Sequence, residues 1–208
     1  AGVLAGSMHD AAWNAPVVPF DFFDGKGVVE NLMRELAVPK VRFKAATAEE
    51  APHLQPGRAA FVYSGGTLLG WLGELHPLAV DAYEAQAPVV AFELDLEALQ
   101  KSTRPARDYV DAPTFPAVST DIAFIVNEEV TNETMMQRIK SAGGNLLGEA
   151  CLFDVYRDAE RVGEGKKSMA FSLTYRSDDH TLTSDEVERA HGKIVTKLCK
   201  ATGGEVRS

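Results

Sequence analysis

Cysteine is scarce in this chain, with two among 208 residues. Cys151 lies in a predicted strand and Cys199 on the apolar face of a predicted helix. The expectation is two buried thiols of a reducing compartment, not a disulfide framework. No apolar run approaches membrane-spanning length. The opening residues, AGVLAGSMHDAAWN, lack the basic start of a signal peptide. The chain has no initiator Met and begins in a predicted strand, Ala1–Ala5, so it is expected to be a fragment of a longer polypeptide. Positive charge is also short: 21 Lys and Arg stand against 30 Asp and Glu, for a net charge of −9. That balance argues against a strong non-specific nucleic-acid binder. Residues 1–113 carry 9 basic and 15 acidic side chains and residues 114–208 carry 12 and 15, so neither part is a basic module. Any RNA bound here must be recognised by local geometry, with most phosphate neutralised elsewhere.

Catalytic signatures are missing as well. The five histidines, His9, His53, His76, His180 and His191, are scattered, and none stands at metal-ligand spacing from Cys or carboxylates. They read as surface or turn histidines. Gly143-Gly144 and Gly203-Gly204 follow predicted helices instead of opening them, so there is no phosphate loop. There is no G-x-S-x-G, and no Cys is poised near a His. Gly70–His76, GWLGELH, reads as a strand packed against a neighbouring backbone. Arg58, a lone basic residue after Pro56-Gly57, reads as structural. No catalytic or metal site is expected.

What is present is a globular composition, 45% apolar and 25% charged, enough for a real core. The first hundred residues read as a mainly antiparallel sheet with two helices. Asp24–Leu36 is a predicted helix with Asp24 as N-cap and an apolar stripe of Val28, Val29, Leu32, Met33 and Leu36, stopped by Pro39. Val41–Lys44, Ala59–Tyr63, Thr67–Leu75 and Val89–Asp95 are predicted strands, with Ala45–Gly57 a loop and Ser64-Gly65-Gly66 a hairpin turn. Pro77 starts a short helix reaching about Tyr83, and Leu96–Lys101 is a helical turn. Residues 102–113, STRPARDYVDAP, have two prolines, several charges and no periodicity, and read as a linker.

Residues 114–208 then follow the order βαββαβ. Asp121–Val126 is a strand with Ile122, Phe124 and Val126 inward, and Thr131 caps a helix through Ala142. A hairpin has arms Ala150–Arg157 and Lys167–Arg176. Thr183 and Glu186 form a capping box for a helix whose apolar face is Val187, Ala190, Ile194, Val195 and Leu198. Glu205–Ser208 is a candidate edge strand. This is the ferredoxin-like plait, which packs both helices on one face of its sheet and leaves the other open.

The hairpin carries the functional signal. Its first arm alternates Cys151, Phe153 and Val155 with Leu152, Asp154 and Tyr156. Its second sets Met169, Phe171, Leu173 and Tyr175 inward against Ser168, Ala170, Ser172, Thr174 and Arg176. Asp121, Ala123 and Ile125 share the open side. A small, polar sheet face is either washed by solvent or kept open for a flat ligand. Tyr156 could stack on a nucleobase, and Asp154, two residues earlier, could accept hydrogen bonds from its edge. Ser168 and Arg176 come from the adjacent strand. In the plainer reading Tyr156 only covers the sheet and Asp154 pairs with Arg157 or Arg176.

Several stretches resemble a known family. FPAVSTDIAFIV (Phe115–Val126), LFDVYRD (Leu152–Asp158), EGKKSMAFSLTYRS (Glu164–Ser177) and TLTSDEV (Thr181–Val187) are similar to the C-terminal ferredoxin-fold anticodon-binding domain of bacterial phenylalanyl-tRNA synthetase beta subunits. Trp13, DFFDGKGVVENL (Asp21–Leu32), QPGRAA (Gln55–Ala60), LGELHP (Leu72–Pro77) and FELDLEAL (Phe92–Leu99) resemble the end of the same subunit's class II synthetase-like core.

The resemblance implies an α+β fold. Residues 1–101 would be the C-terminal part of an inactive class II synthetase-like antiparallel domain, 102–113 a linker and 114–208 the anticodon-binding plait. It implies a cytoplasmic (αβ)₂ heterotetramer that joins phenylalanine to tRNA(Phe) with ATP and Mg²⁺, catalysis residing in the alpha subunit. This fragment would be non-catalytic, bind no cofactor or metal itself, and contact neither membrane nor DNA. The first anticodon base would meet positions matching Ala123, Asp154, Tyr156 and Ser168; Arg176, placed on the same face by alternation and not by the resemblance, is a candidate further RNA contact. His76-Pro77 stands where class II catalysis wants an arginine, and Gln55 where the family often has His. The alternatives are a small-molecule regulatory plait, which would want a glycine-rich loop where this chain has Asn127-Glu128-Glu129-Val130, or a pure assembly module.

Overall fold

The computed structural model describes residues 1–86, 88–104 and 111–207. The chain divides into two compact units, Ala1–Tyr109 and Val110–Ser208. Of the predicted linker, residues 105–110 lie outside the described residues.

The first unit is a five-stranded antiparallel sheet. Its strands are β1 (Gly2–Ala5), β2 (Val41–Ala45), β3 (Leu54–Ser64), β4 (Thr67–Leu75) and β5 (Val89–Leu94), in the spatial order β1-β5-β4-β3-β2. Helices α1 (Phe22–Glu35), α2 (Pro77–Ala82) and α3 (Leu96–Ser102) complete it. α1 begins two residues earlier than the apolar stripe alone suggests. Asp21 is the N-cap, and its carboxylate accepts from the Phe23 and Asp24 N–H groups while Asp24 accepts from the Asp21 N–H. Asp24, expected as the cap, is instead the third residue of a capping box. β3 is also longer than expected, because Pro56 and Gly57 lie inside it. A register shift between Leu54 and Ala59 accommodates them, with Gly57 at φ +81°. Bulges are where a strand tolerates proline and glycine. Val29 and Met33 of α1 pack on Val62, Leu69, Leu72 and Val90 of the sheet. Gly25 lets the helix approach, since a Cβ there would stand 2.5 Å from Val90 Cγ1.

The second unit runs β6 (Val118–Asn127), α4 (Asn132–Gly143), a 3₁₀ turn, β7 (Leu147–Tyr156), α5 (Ala159–Val162), β8 (Lys166–Tyr175), α6 (Ser184–Thr202) and β9 (Glu205–Val206). The sheet order β7-β8-β6-β9, all antiparallel, is the ferredoxin-like plait. Its core joins Phe124, Phe171, Leu173 and Tyr175 of the sheet to Met135 and Ile139 of α4 and Ile194 and Leu198 of α6. Thr131 caps α4, Thr183 and Glu186 form the capping box of α6, and Gly203 ends α6 in the left-handed region. The short α5, capped by Asp158, is an addition to the predicted elements. Among the described residues, no helix is long and apolar enough to cross a membrane.

Candidate nucleic-acid interface

The hairpin corrects the expected alternation. Leu152 pairs with Phe171 and Asp154 with Ala170, so Phe153 is an extra residue in β7, a β-bulge, and is 58% exposed. Leu152 and Val155 therefore both face the core, opposite Phe171 and Met169. Cys151 turns to the open side opposite Ser172. It is exposed, not the buried thiol expected, while Cys199 is half-buried. The apolar pattern itself demands this: Leu152 and Val155 are an odd number of residues apart and cannot share a face without an insertion. Downstream of the bulge, Asp154 and Tyr156 remain together on the open face.

Register fixes that face in transverse rows. One runs Glu205–Ile125–Ser168–Tyr156 from β9 to β7. The next joins Ala123, Ala170 and Asp154, and is extended at the edge by Arg207, whose backbone N–H donates to the Ala123 carbonyl at 2.9 Å. A third joins Asp121, Ser172 and Cys151. The middle row is floored by two alanines, with the Asp154 carboxylate at one end and the Arg207 backbone at the other.

Tyr156 is half-buried, and its hydroxyl donates to Asp158 Oδ2 at 2.7 Å. The Arg207 guanidinium lies over its ring, 5.2 Å from the centroid. The Asp158 hydrogen bond, then burial, pushes the phenol up. The same bond holds the Asp158 carboxyl below its usual range, helped by the N–H groups of Arg161 and Glu160 and the charge of Arg207. Asp158 is thus both the cap of α5 and the tether of the tyrosine. Asp154 is exposed and has no partner among the described residues. Arg157 does not pair with it. Its guanidinium donates to Glu128 at 2.8–3.2 Å, and the Lys167 ammonium donates to the Glu128 carbonyl at 2.7 Å. These contacts hold the Glu128 carboxyl low and occupy the loop between β6 and α4.

The structure brings Ala123, Asp154, Tyr156 and Ser168 onto adjacent rows. Ser168 is 3% exposed, however, a covered floor residue between Ile125 and Tyr156. Arg176 does not join them. It follows the far end of β8, roughly 26 Å from Ser168 at the rise of an extended strand. There its N–H donates to the Leu146 carbonyl, and its Nε is buried without a hydrogen-bond partner among the described residues. Among the described residues the cation lying over the Tyr156 ring is Arg207, with Arg161 of α5 near the tyrosine hydroxyl and 3.8 Å from Asp158. The predicted edge strand was the only signal of Arg207, since pairing that strand beside β6 sets alternate residues over the sheet.

Comparison with known proteins agrees with this architecture. Residues 113–207 match the family model described as ferredoxin-fold anticodon binding domain. Residues 1–96 match that of the phenylalanyl tRNA synthetase beta chain CLM domain. The chain belongs to the phenylalanyl-tRNA synthetase beta-chain family. It is 42% identical over 205 residues to the phenylalanine–tRNA ligase beta subunit of Symbiobacterium thermophilum, covering 99% of this chain and 22% of the relative. The beta subunits of Lactiplantibacillus plantarum and Bacillus subtilis are each 39% identical, covering 100% and 95% of this chain and 25% and 24% of theirs. The chain spans about a quarter of the length of the curated relatives it matches.

In this beta-chain segment the glycine-alternating strand β4 carries Glu74, which is buried and held through its Oε1. It accepts from Arg58 at 2.6 Å and from the Phe22 N–H at 3.2 Å. Arg58 is therefore a structural partner, as its isolation in sequence suggested, and the contact pushes its pKa up. Among the described residues no three His, Cys, Asp or Glu side chains gather to hold a metal.

Proposed function

We propose that this chain is the C-terminal portion of a cytoplasmic phenylalanine–tRNA ligase beta subunit, that it reads the first anticodon base of tRNA(Phe), and that it scaffolds an (αβ)₂ enzyme. The partner alpha subunit would carry out the ATP- and Mg²⁺-dependent joining of phenylalanine to tRNA. The domains are 1–101, the end of an inactive synthetase-like core, and 114–208, the anticodon-binding plait, joined by 102–113.

One observation carries the base-reading part: Asp154 and Tyr156 stand side by side on the helix-free face, next to a floor of Ala123 and Ala170. Tyr156 offers a stacking plane and Asp154 an exposed carboxylate for a guanine N1–H and amino group, and the alanines leave space for the ring. Ser168 lines the floor. The acidic chain supplies little phosphate neutralisation, so binding by this segment is weak and best seen at low salt.

The test is a titration of the 208-residue chain at low salt with a labelled RNA hairpin bearing the guanine-first anticodon loop, against an adenine-first control. Tyr156→Ala is expected to weaken binding by about 1–3 kcal/mol, the worth of a base–aromatic stack. Asp154→Asn is expected to bring the guanine and adenine hairpins to near-equal affinity. A parent chain that does not distinguish the hairpins, or a Tyr156→Ala chain that binds like the parent, overturns the reading.

A further inference from the structure

Resting on the base-reading proposal, we propose that Arg207 is the second plate of a nucleobase clamp whose first plate is Tyr156. The backbone of Arg207 is fixed. β9 is laid against β6 through Phe124–Val206 and Ile125–Glu205 pairing, and the Arg207 N–H is bonded to Ala123. Gly204 allows this close approach, since a Cβ there would stand 2.8 Å from the Ile125 carbonyl oxygen. The side chain, by contrast, is long and exposed. It reaches over the sheet from beside Ala123, and its guanidinium meets the ring of Tyr156, whose strand lies at the opposite edge. Large residues at 123 and 170 would block that path.

The guanidinium occupies the volume a stacked base needs. It lies 5.2 Å from the ring centroid, whereas a base held between two plates needs two van der Waals separations of roughly 3.5 Å each. Entry of the base requires only that the side chain swing outward. The planar cation can then cover the base's far face, as guanidinium groups do on unstacked bases. Its charge also has work to do there. Asp121, Asp154 and Asp158 make this side of the sheet acidic, and Arg157 and Lys167 are engaged by Glu128. A polyanion approaching Tyr156 meets Arg207 over the ring and the exposed Arg161 of α5 beside the tyrosine hydroxyl.

The clamp is tested with the full 208-residue chain and the guanine-first hairpin, comparing parent, Arg207→Gln, Arg207→Lys and Tyr156→Ala. Arg207→Gln is expected to weaken binding about 5–20-fold and to lower the salt-dependence slope by about one. Arg207→Lys should restore the slope but leave binding several-fold weak, because an ammonium keeps the charge and loses the plane. The combined Tyr156→Ala, Arg207→Gln chain should bind more tightly than the product of the two single losses, since both plates act on one base. Parent-like or tighter binding by Arg207→Gln, with Tyr156→Ala still weak, overturns the clamp and makes the arginine a bystander or a plug, while base reading stands. Parent-like binding by both single variants removes the base-reading proposal itself. Full restoration by Arg207→Lys overturns the stacking role.

Discussion

Both units of this chain are antiparallel sheets backed by helices, yet they spend their surfaces differently. The first unit leaves large apolar side chains in solvent: Trp13 is 98% exposed, and Phe23, Leu78, Tyr83 and Leu96 are each more than two-thirds exposed. Its buried carboxylate, Glu74, is sealed by Arg58 and a backbone N–H. The second unit keeps its helix-free face small and polar, with Asp154 unpartnered among the described residues and Asp121 exposed in the neighbouring row. Exposed apolar side chains suit burial against another protein, whereas a polar trough with unpaired hydrogen-bonding groups suits a flat polar ligand. The proposed function thus assigns an assembly surface to one unit and a reading surface to the other.

The strongest way to break this comparison is to show that the units do not fold separately. Phe171 is fully buried in the centre of the second unit's core. Phe171→Ala is expected to cost that unit about 3–5 kcal/mol through lost burial and the cavity left behind. In urea, the transition of the second unit should move to lower denaturant while that of the first stays in place. A common shift of both would mean that the two sheets form one cooperative block.

A somewhat smaller effect probes the first unit alone. Gly70 sits in β4 at φ +152°, and a Cβ there would come within 2.0 Å of the Glu93 carbonyl oxygen in β5. Gly70→Ala must both strain the backbone and push two paired strands apart, at about 1–3 kcal/mol or more. The urea transition of the first unit should fall and that of the second should hold. An unchanged first transition would show that the β4–β5 contact is looser than this geometry.

Both of these sites were legible before any coordinates, for different reasons. The glycine alternation of GWLGELH announced close backbone approach, and strict two-residue periodicity set Phe171 in the core. The plait was legible for the same cause: the Thr183–Glu186 capping box, glycine stops and alternation all pointed one way. What stayed hidden depended on pairing. The bulge at Phe153 conserves the apolar pattern only if β8 is known to place Phe171 and Met169 opposite Leu152 and Val155. Asp154 and Tyr156 were assigned to the open face correctly because both lie beyond that insertion. Arg176 was assigned by alternation along one strand, and alternation says nothing of distance along it. Arg207 needed the reverse: it is distant in sequence and adjacent only through β9.

The smallest expected effect concerns pH and the cap of α6. The Glu186 carboxylate accepts from the Thr183 N–H and hydroxyl, both at 2.9 Å, and lies 3.1 Å from His180 Nε2. The Thr183 N–H, then its hydroxyl, then His180 lower its pKa to about 2. A carboxyl whose folded pKa is depressed stabilises the fold above its unfolded value, and that contribution fades as pH falls toward the folded value. The window here is from about pH 4.5 down to about 2. Glu186→Gln keeps an oxygen for the Thr183 N–H but removes the charge beside the helix N-terminus. At neutral pH the second unit should be slightly less stable in the variant. On acidification from pH 4.5 the parent should lose more stability than the variant, so that their urea midpoints converge toward pH 2. The first unit has its own lowered carboxyl, Glu50, held by Thr47 and Lys44, so its midpoints should shift equally in both proteins. Parallel acid limbs for parent and variant in the second unit would mean that the capping charge does not couple to its folding.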